Sequence, residues 1–331
     1  MGFVQNLGGL IACRLLMGFF EGGLISGILI YLPMFYRKKE LAWRIGSFYC
    51  ASPFSSAFAG LLATALTQIK AGGYDRWPWI SFTQGAATAL FGILALFFLP
   101  HSIAQAWFLT EEERIVAHAQ LQTDSHGVNM TSIEDEKFSW YWVRLALKSM
   151  ITWFIVLPYL LLAICVYSFA LFLPPIIKNL GYTSTHAQLL TAPPNLCGFA
   201  SVLIVSRLSD KTGVRSPFIM GGSVLVIIGY AIQLGSQKSS GAKYAGTFFV
   251  AVGAYPSMPL YLSWLTNNSA PHYTRATSTV LSQSIGNFAA FVSTYSYIAK
   301  DAPHYTLSHS INIGASSSAC VFTGVAMFYC H

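Results

Sequence analysis

Long apolar runs constrain this chain more than any other feature. Nine can be counted, at about 7–35, 45–66, 80–99, 151–173, 188–205, 218–234, 244–265, 278–298 and 308–329. Most approach the roughly 20 apolar residues that a helix needs to cross a bilayer. Only 9% of the 331 residues are charged, and the mean hydropathy is +0.53. A soluble chain carries about 25% charged residues, so a chain this poor in charge has to turn much of its surface toward lipid. The expected fold is an all-α polytopic membrane protein with about nine transmembrane helices. A membrane β-barrel needs alternating segments of about 10 residues, and those are absent.

The runs are unevenly placed about a charged stretch. Residues 1–99 hold three and form a partial N-terminal helical bundle; residues 100–150 form a central loop; residues 151–331 hold six and form a second bundle. The loop carries seven of the twelve acids: Glu111, Glu112, Glu113, Asp124, Glu134, Asp135 and Glu136. Thr110 and Glu113 have the Thr-x-x-Glu spacing of a capping box, which predicts a short helix over about 111–121, followed by a linker to about 137. Asn129-Met130-Thr131 matches a glycosylation acceptor, a common pattern, in a loop assigned to the cytoplasm.

Orientation follows from the basic residues. Alternate loops hold Arg37, Lys38, Lys39, Arg44, Arg114, Lys137, Arg144, Lys148, Arg207, Lys211, Arg215 and Arg275; the other set holds Lys70, Arg76, Lys178, Lys238, Lys243 and Lys300. The richer set faces the cytoplasm by the positive-inside rule. The N-terminus is then outside, the C-terminus cytoplasmic, and Trp77 and Trp79 suit a membrane interface. Topology also explains the net charge of +7 better than a nucleic-acid partner does.

Chemistry is sparse. The six cysteines are scattered without a CxxC pair, mostly in apolar runs, and read as buried thiols. The histidines lack metal spacing, no cofactor motif is visible, and no nucleophile has a plausible base, which argues against an enzyme. No basic region precedes the first run, so no cleavable signal peptide is expected.

Charges inside a span are costly and usually face a cavity. Arg14 and Glu21 lie in the first run, seven residues apart and so on one face about 10 Å apart along the axis. They could attract an anion and carry a proton, or be a structural pair held by neighbouring helices, with Arg14 alternatively snorkelling outward. The last six runs contain no Asp, Glu, Lys or Arg. Their polar and helix-breaking positions are Asn195 after Pro193-Pro194, Tyr255 with Pro256 and Pro259, and Gln283 with Asn287 one turn on. Such helices can line a midplane cavity, and Tyr167 could stack on a flat ring; interhelical packing explains each equally well. Between two runs, the turn SRLSDKTGVRSP places Asp210, Lys211, Gly213 and Arg215 together. Gly213 permits positive φ, and Asp210 can sit near a helix N-terminus.

That turn resembles the cytoplasmic signature of the major facilitator superfamily. In CRLLMGFFEGGLISG, Arg14 and Gly18 are similar to the arginine motif of that superfamily's fourth helix. FYRKKELAWR, LPHSIAQAWFLTEEER, FALFLPPIIKNLGY, GAYPSMPLYLSWLTNN and SIGNFAAFVSTYSYIAKDAPHY, in order, resemble the fungal anion:cation symporters of the allantoate, nicotinate and pantothenate permease group. One departure is Ser26, before Gly27, where many members have proline.

The resemblance implies a twelve-helix carrier aligned from its fourth helix onward, hence an N-terminally truncated member. It implies a secondary transporter in the plasma membrane of a fungus, moving a small organic anion with a proton by rocking two bundles about a midplane site. Arg14, Glu21, Tyr167, Asn195, Tyr255, Gln283 and Asn287 become the pathway candidates, and Asp210, Lys211, Gly213 and Arg215 the cytoplasmic gate. The alternative is a non-transporting remnant or fragment of such a carrier.

Overall fold

A computed structural model describes residues 6–66, 78–100, 102–124, 139–179, 184–236, 239–297 and 305–330, with Gly2 and Val4. Trp77, the 125–137 part of the linker and the Asn129 acceptor lie outside the described residues. The described secondary structure is all helical: α1 Leu7–Phe35, α2 Leu41–Tyr49, α3 Ala51–Leu66, α4 Pro78–Phe98, α5 Glu111–Asp124, α6 Trp140–Lys148, α7 Met150–Asn179, α8 Ser184–Thr212, α9 Ser216–Gly235, α10 Ser240–Asn268, α11 His272–Asn287, α12 Ala289–Ser296 and α13 Thr306–Cys330.

Seven of these, α1, α4, α7, α8, α9, α10 and α13, are long and apolar enough to cross a membrane as single helices. The other two expected spans are interrupted. The first breaks at Cys50 because Pro53 has no N–H to give the Tyr49 carbonyl four residues back. At the second break, Phe288 bonds through its N–H to Ile285 and accepts from Phe291, both at 3.1 Å and three residues apart, a tighter 3-10 turn.

The prolines singled out in the sequence do not break their helices. Pro193 and Pro194 lie within α8, and Pro256 and Pro259 within α10. Pro194 leaves the Leu190 carbonyl without its N–H partner, and the Tyr244 hydroxyl donates to that carbonyl at 3.0 Å. A side chain from α10 thus replaces the missing backbone bond, as helix-breaking residues require in a bilayer.

The expected capping box is present. The Thr110 N–H donates to Glu113 Oε2 at 2.9 Å, and the Glu113 N–H to Thr110 Oγ1 at 3.4 Å. These bonds, the Thr110 N–H foremost, hold the Glu113 carboxyl below its ordinary range. Helix α6 was not anticipated; Ser139 caps it and Trp140 and Tyr141 are exposed.

Helix α10 is the buried centre of the molecule, with α7, α8, α9 and α2 packed on it. Its closest neighbour is α9, approached through glycines: a Cβ on Gly222 would lie 2.7 Å from the Gly253 carbonyl oxygen, and a Cβ on Gly246 2.8 Å from that of Gly229. Small residues let backbones meet where lipid supplies no hydrophobic drive for association. Helices α2 and α3 dock on α8 and α10, joining the two expected bundles.

Candidate functional site

A cavity of about 330 Å³ opens between α1–α3 on one side and α7, α10 and α11 on the other. Four of the sequence candidates line it: Tyr167, Tyr255, Gln283 and Asn287. Gln283 and Asn287 share a face of α11, as their spacing requires. The Tyr167 hydroxyl donates to Asn287 Oδ1 at 2.9 Å.

Asn195 stands behind the wall. It is 3% exposed, accepts from the Tyr255 hydroxyl at 2.9 Å, and donates to the Thr191 carbonyl at 2.9 Å. Its role in this geometry is to orient Tyr255, whose ring also meets Phe169 edge-on at 5.9 Å.

Two lining tyrosines escaped the sequence reading. Gln283 Nε2 donates to the Tyr49 hydroxyl at 2.7 Å, while the Tyr159 hydroxyl donates to Gln283 Oε1 at 3.2 Å. Gln283 therefore ties α2 to α7 and α11 across the cavity. The available signals were Tyr159 directly after Pro158 in an apolar run, and Tyr49 beside Cys50 and Ser52. Two glycines make room for the rings. A Cβ on Gly286 would collide with the Tyr159 ring, and one on Gly198 would lie 2.6 Å from Tyr255 Cδ2.

Arg14 and Glu21 are not brought into this lining. Both are exposed on α1, whose side chains from Leu7 to Leu24 are mostly exposed, whereas Ser26 and Leu29 further along are buried. Neither makes an ion pair among the described residues. Glu21 does lie near enough to Tyr167 to act on it electrostatically, and Ile25, one turn on, lines the cavity. Glu21 is thus associated with the α1 edge of the cavity, and Arg14 lies two turns further along the exposed face.

The four gate candidates form a different constellation. Gly213 adopts φ +73°, the left-handed turn conformation that glycine suits. Asp210, at the end of α8, accepts from the Ala42 and Trp43 N–H groups at 3.2 and 2.6 Å, and so caps the N-terminus of α2. Arg215 donates to the Ser263 carbonyl at 2.6 Å and the Lys38 carbonyl at 3.0 Å, and lies 3.8 Å from Asp210. Asn267 donates to the same Lys38 carbonyl at 3.2 Å. Burial pulls the Arg215 guanidinium down to about 10, and Asp210 opposes that shift, so it stays charged at neutral pH. Lys211 is exposed. Together Asp210 and Arg215 latch α2 and the turn before it to α8 and α10.

Helices of membrane-crossing length around a largely apolar cavity that carries tyrosine hydroxyls and two amides, with a charged latch at one end, define an integral membrane protein. Its architecture is similar to that of the major facilitator proton:xylose symporter XylE bound to 6-bromo-6-deoxy-D-glucose: TM-score 0.70 at 16% identity, over 89% of this chain and 66% of that one. The sequence profile of the Major Facilitator Superfamily matches residues 1–294, and the chain belongs to that family. It is 36% identical to the uncharacterized transporter C11D3.18C of Schizosaccharomyces pombe, over 99% of this chain. It is 31% identical to the high-affinity nicotinic acid transporter of Saccharomyces cerevisiae, over 98% of this chain. The chain spans 64% and 60% of the lengths of those two relatives.

Proposed function

We propose that the chain works as a secondary transporter that moves a small organic anion together with a proton, with the tyrosine–amide cavity as its substrate site. The carrying observation is that cavity: it lies between the helices before and after the central loop, where rocking of one group against the other would expose it alternately. Its volume of about 330 Å³ is at the low end of the roughly 300–1,000 Å³ typical of ligand sites, which suits a small ring carboxylate. The hydroxyls of Tyr49, Tyr159, Tyr167 and Tyr255 and the amides of Gln283 and Asn287 offer donors and flat faces. No basic side chain is among the described residues that line it. The anion's charge is therefore balanced by the proton it travels with, held at Glu21 beside Tyr167, while Arg14 attracts anions toward the α1 edge. Opening and closing of the Asp210–Arg215 latch alternates with opening of the opposite end, and the plasma membrane is the proposed location.

A second reading, a non-transporting fragment of such a carrier, is favoured by the exposed first half of α1, which leaves Arg14 and Glu21 without buried partners among the described residues. Uptake of labelled nicotinate into proteoliposomes carrying the full chain separates the two. The expected result is uptake driven by an inward proton gradient, abolished by Glu21→Gln and reduced by Arg14→Ala. Unchanged uptake in both variants overturns the assignment of those residues, and absence of uptake by the unaltered chain favours the fragment.

A further inference from the structure

Four tyrosines line the cavity, and their hydroxyl protons are not spent alike. The Tyr159 hydroxyl donates to Gln283 Oε1 at 3.2 Å, that of Tyr167 to Asn287 Oδ1 at 2.9 Å, and that of Tyr255 to Asn195 Oδ1 at 2.9 Å. The Tyr49 hydroxyl receives instead, from Gln283 Nε2 at 2.7 Å. A phenol has one proton and donates once. Three of the four are therefore committed to amide oxygens, and among the described residues the Tyr49 hydroxyl donates to none.

An amide has an oxygen that accepts and an NH2 group that donates, so committing the oxygen aims the NH2. At Asn195 the orientation is set from behind. Its NH2 donates to the Thr191 carbonyl at 2.9 Å, which can only accept, so Oδ1 faces Tyr255 and the Tyr255 proton is spent behind the wall. At Gln283 the oxygen faces Tyr159 of α7 and the NH2 faces Tyr49 of α2. At Asn287 the oxygen faces Tyr167, and the NH2 has no partner among the described residues. The Tyr159 ring lies against Gly286 and meets Tyr261 edge-on at 6.3 Å, so its hydroxyl is a fixed point for Gln283.

The two uncommitted donors belong to one wall. Tyr49, Gln283 and Asn287 all line the cavity. Gln283 and Asn287 are four residues apart on α11, about 6 Å along its axis, and the Tyr49 hydroxyl sits on Gln283. A carboxylate that accepts two charge-assisted bonds of about 2.7 Å can bridge a gap of that size. Nearby lining residues, Ile25, Val166 and Met258, are apolar and suit the body of a ring.

Resting on the reading of this cavity as the substrate site, we propose that the Tyr49 hydroxyl and the Asn287 NH2 group hold the substrate's carboxylate. Tyr159 and Tyr167 are then positioning residues, which aim those donors by occupying the oxygens of Gln283 and Asn287. This polarity discriminates between isosteres. A carboxylate offers an acceptor to each donor, whereas a carboxamide of the same shape turns its own NH2 toward one of them. Donor then faces donor, and a site built to hydrogen-bond rejects such an analogue.

Equilibrium binding of labelled nicotinate and labelled nicotinamide to the purified full chain at pH 6 gives this selectivity as a ratio of affinities. The ratio should favour nicotinate by about tenfold or more, the scale of one unmatched buried donor. Tyr159→Phe keeps the ring but frees Gln283 Oε1 to turn and take the Tyr49 proton, so the ratio should fall about tenfold, toward parity. A merely structural role for Tyr159 would weaken both ligands alike and leave the ratio intact. Tyr49→Phe removes the donor itself and should lower the ratio by the same factor through nicotinate alone; it carries the test if Tyr159→Phe is not monodisperse. Equal affinities in the unaltered chain, or an unchanged ratio in either monodisperse variant, overturn the proposal while leaving the cavity as a site. Absence of saturable binding of both compounds overturns the cavity as the substrate site and the proposal with it, before any variant is compared.

Discussion

Replacing Arg215 by alanine should destabilise the folded chain by about 3–5 kcal/mol, the cost of removing one partner from a buried ion pair. Both members are about nine-tenths buried. The substitution leaves Asp210 without a cation and removes the donors that bind the Lys38 and Ser263 carbonyls. Arg215→Lys should recover only part of the loss, because an ammonium cannot reproduce the planar fork that spans two carbonyls and a carboxylate. Lys211→Ala, on the exposed side of the same turn, should stay within about 0.5 kcal/mol of the original. The check is the thermal unfolding midpoint in detergent, with size-exclusion profiles before heating. An Arg215→Ala variant as stable as the unaltered chain would show that the latch contributes nothing to holding α2 against α8 and α10.

Gly253→Val should also be strongly damaging, through sterics alone. A Cβ on Gly253 would overlap the Gly222 carbonyl oxygen and approach Leu225 Cβ at 2.9 Å. Backbone cannot rotate away as a side-chain tip can, so α9 and α10 must separate, and overpacking of a tight core costs about 1–3 kcal/mol or more. The disturbance falls at the centre of the molecule, and α10 also carries Tyr255 and Lys243. Gly221→Val is the matched control, since nothing lies within 4 Å of its Cβ position one residue from Gly222. Monodisperse recovery after membrane extraction is the readout, with near-complete loss expected for Gly253→Val and little change for Gly221→Val. Equal recovery of the two would refute the close glycine crossing.

The apolar runs made the helices legible because the bilayer permits few alternatives, and spacing alone put Gln283 and Asn287 on one face. The capping box and the positive φ of Gly213 were readable for the same reason: each is a local pattern with one physical solution. What was not legible depends on contacts between distant segments. Pro194 looked like a break, yet a hydroxyl from Tyr244, 50 positions away, repairs its helix. Pro53 drew no notice and sits at a real interruption. Tyr49 and Tyr159 enter the site only because Gln283 bridges them, and no periodicity reveals a bridge. Lys243 read as a loop lysine that fixes topology; its burial became visible only when α10 was packed among its neighbours. The exposure of Arg14 is likewise a property of what packs against α1, not of α1 itself.

The most direct measurement for the central claim is equilibrium binding of labelled nicotinate to the purified full chain at pH 5, with pantothenate and allantoate as competitors. Gln283→Leu removes the amide that joins Tyr49 to Tyr159, leaving both hydroxyls without that partner inside the cavity. The account predicts saturable binding of nicotinate or of a competitor, weakened about tenfold or more in a monodisperse Gln283→Leu variant, the scale of one or two lost buried hydrogen bonds. Absence of saturable binding by all three compounds, or equal binding by the variant, would contradict the assignment of the tyrosine–amide cavity as an organic-anion site.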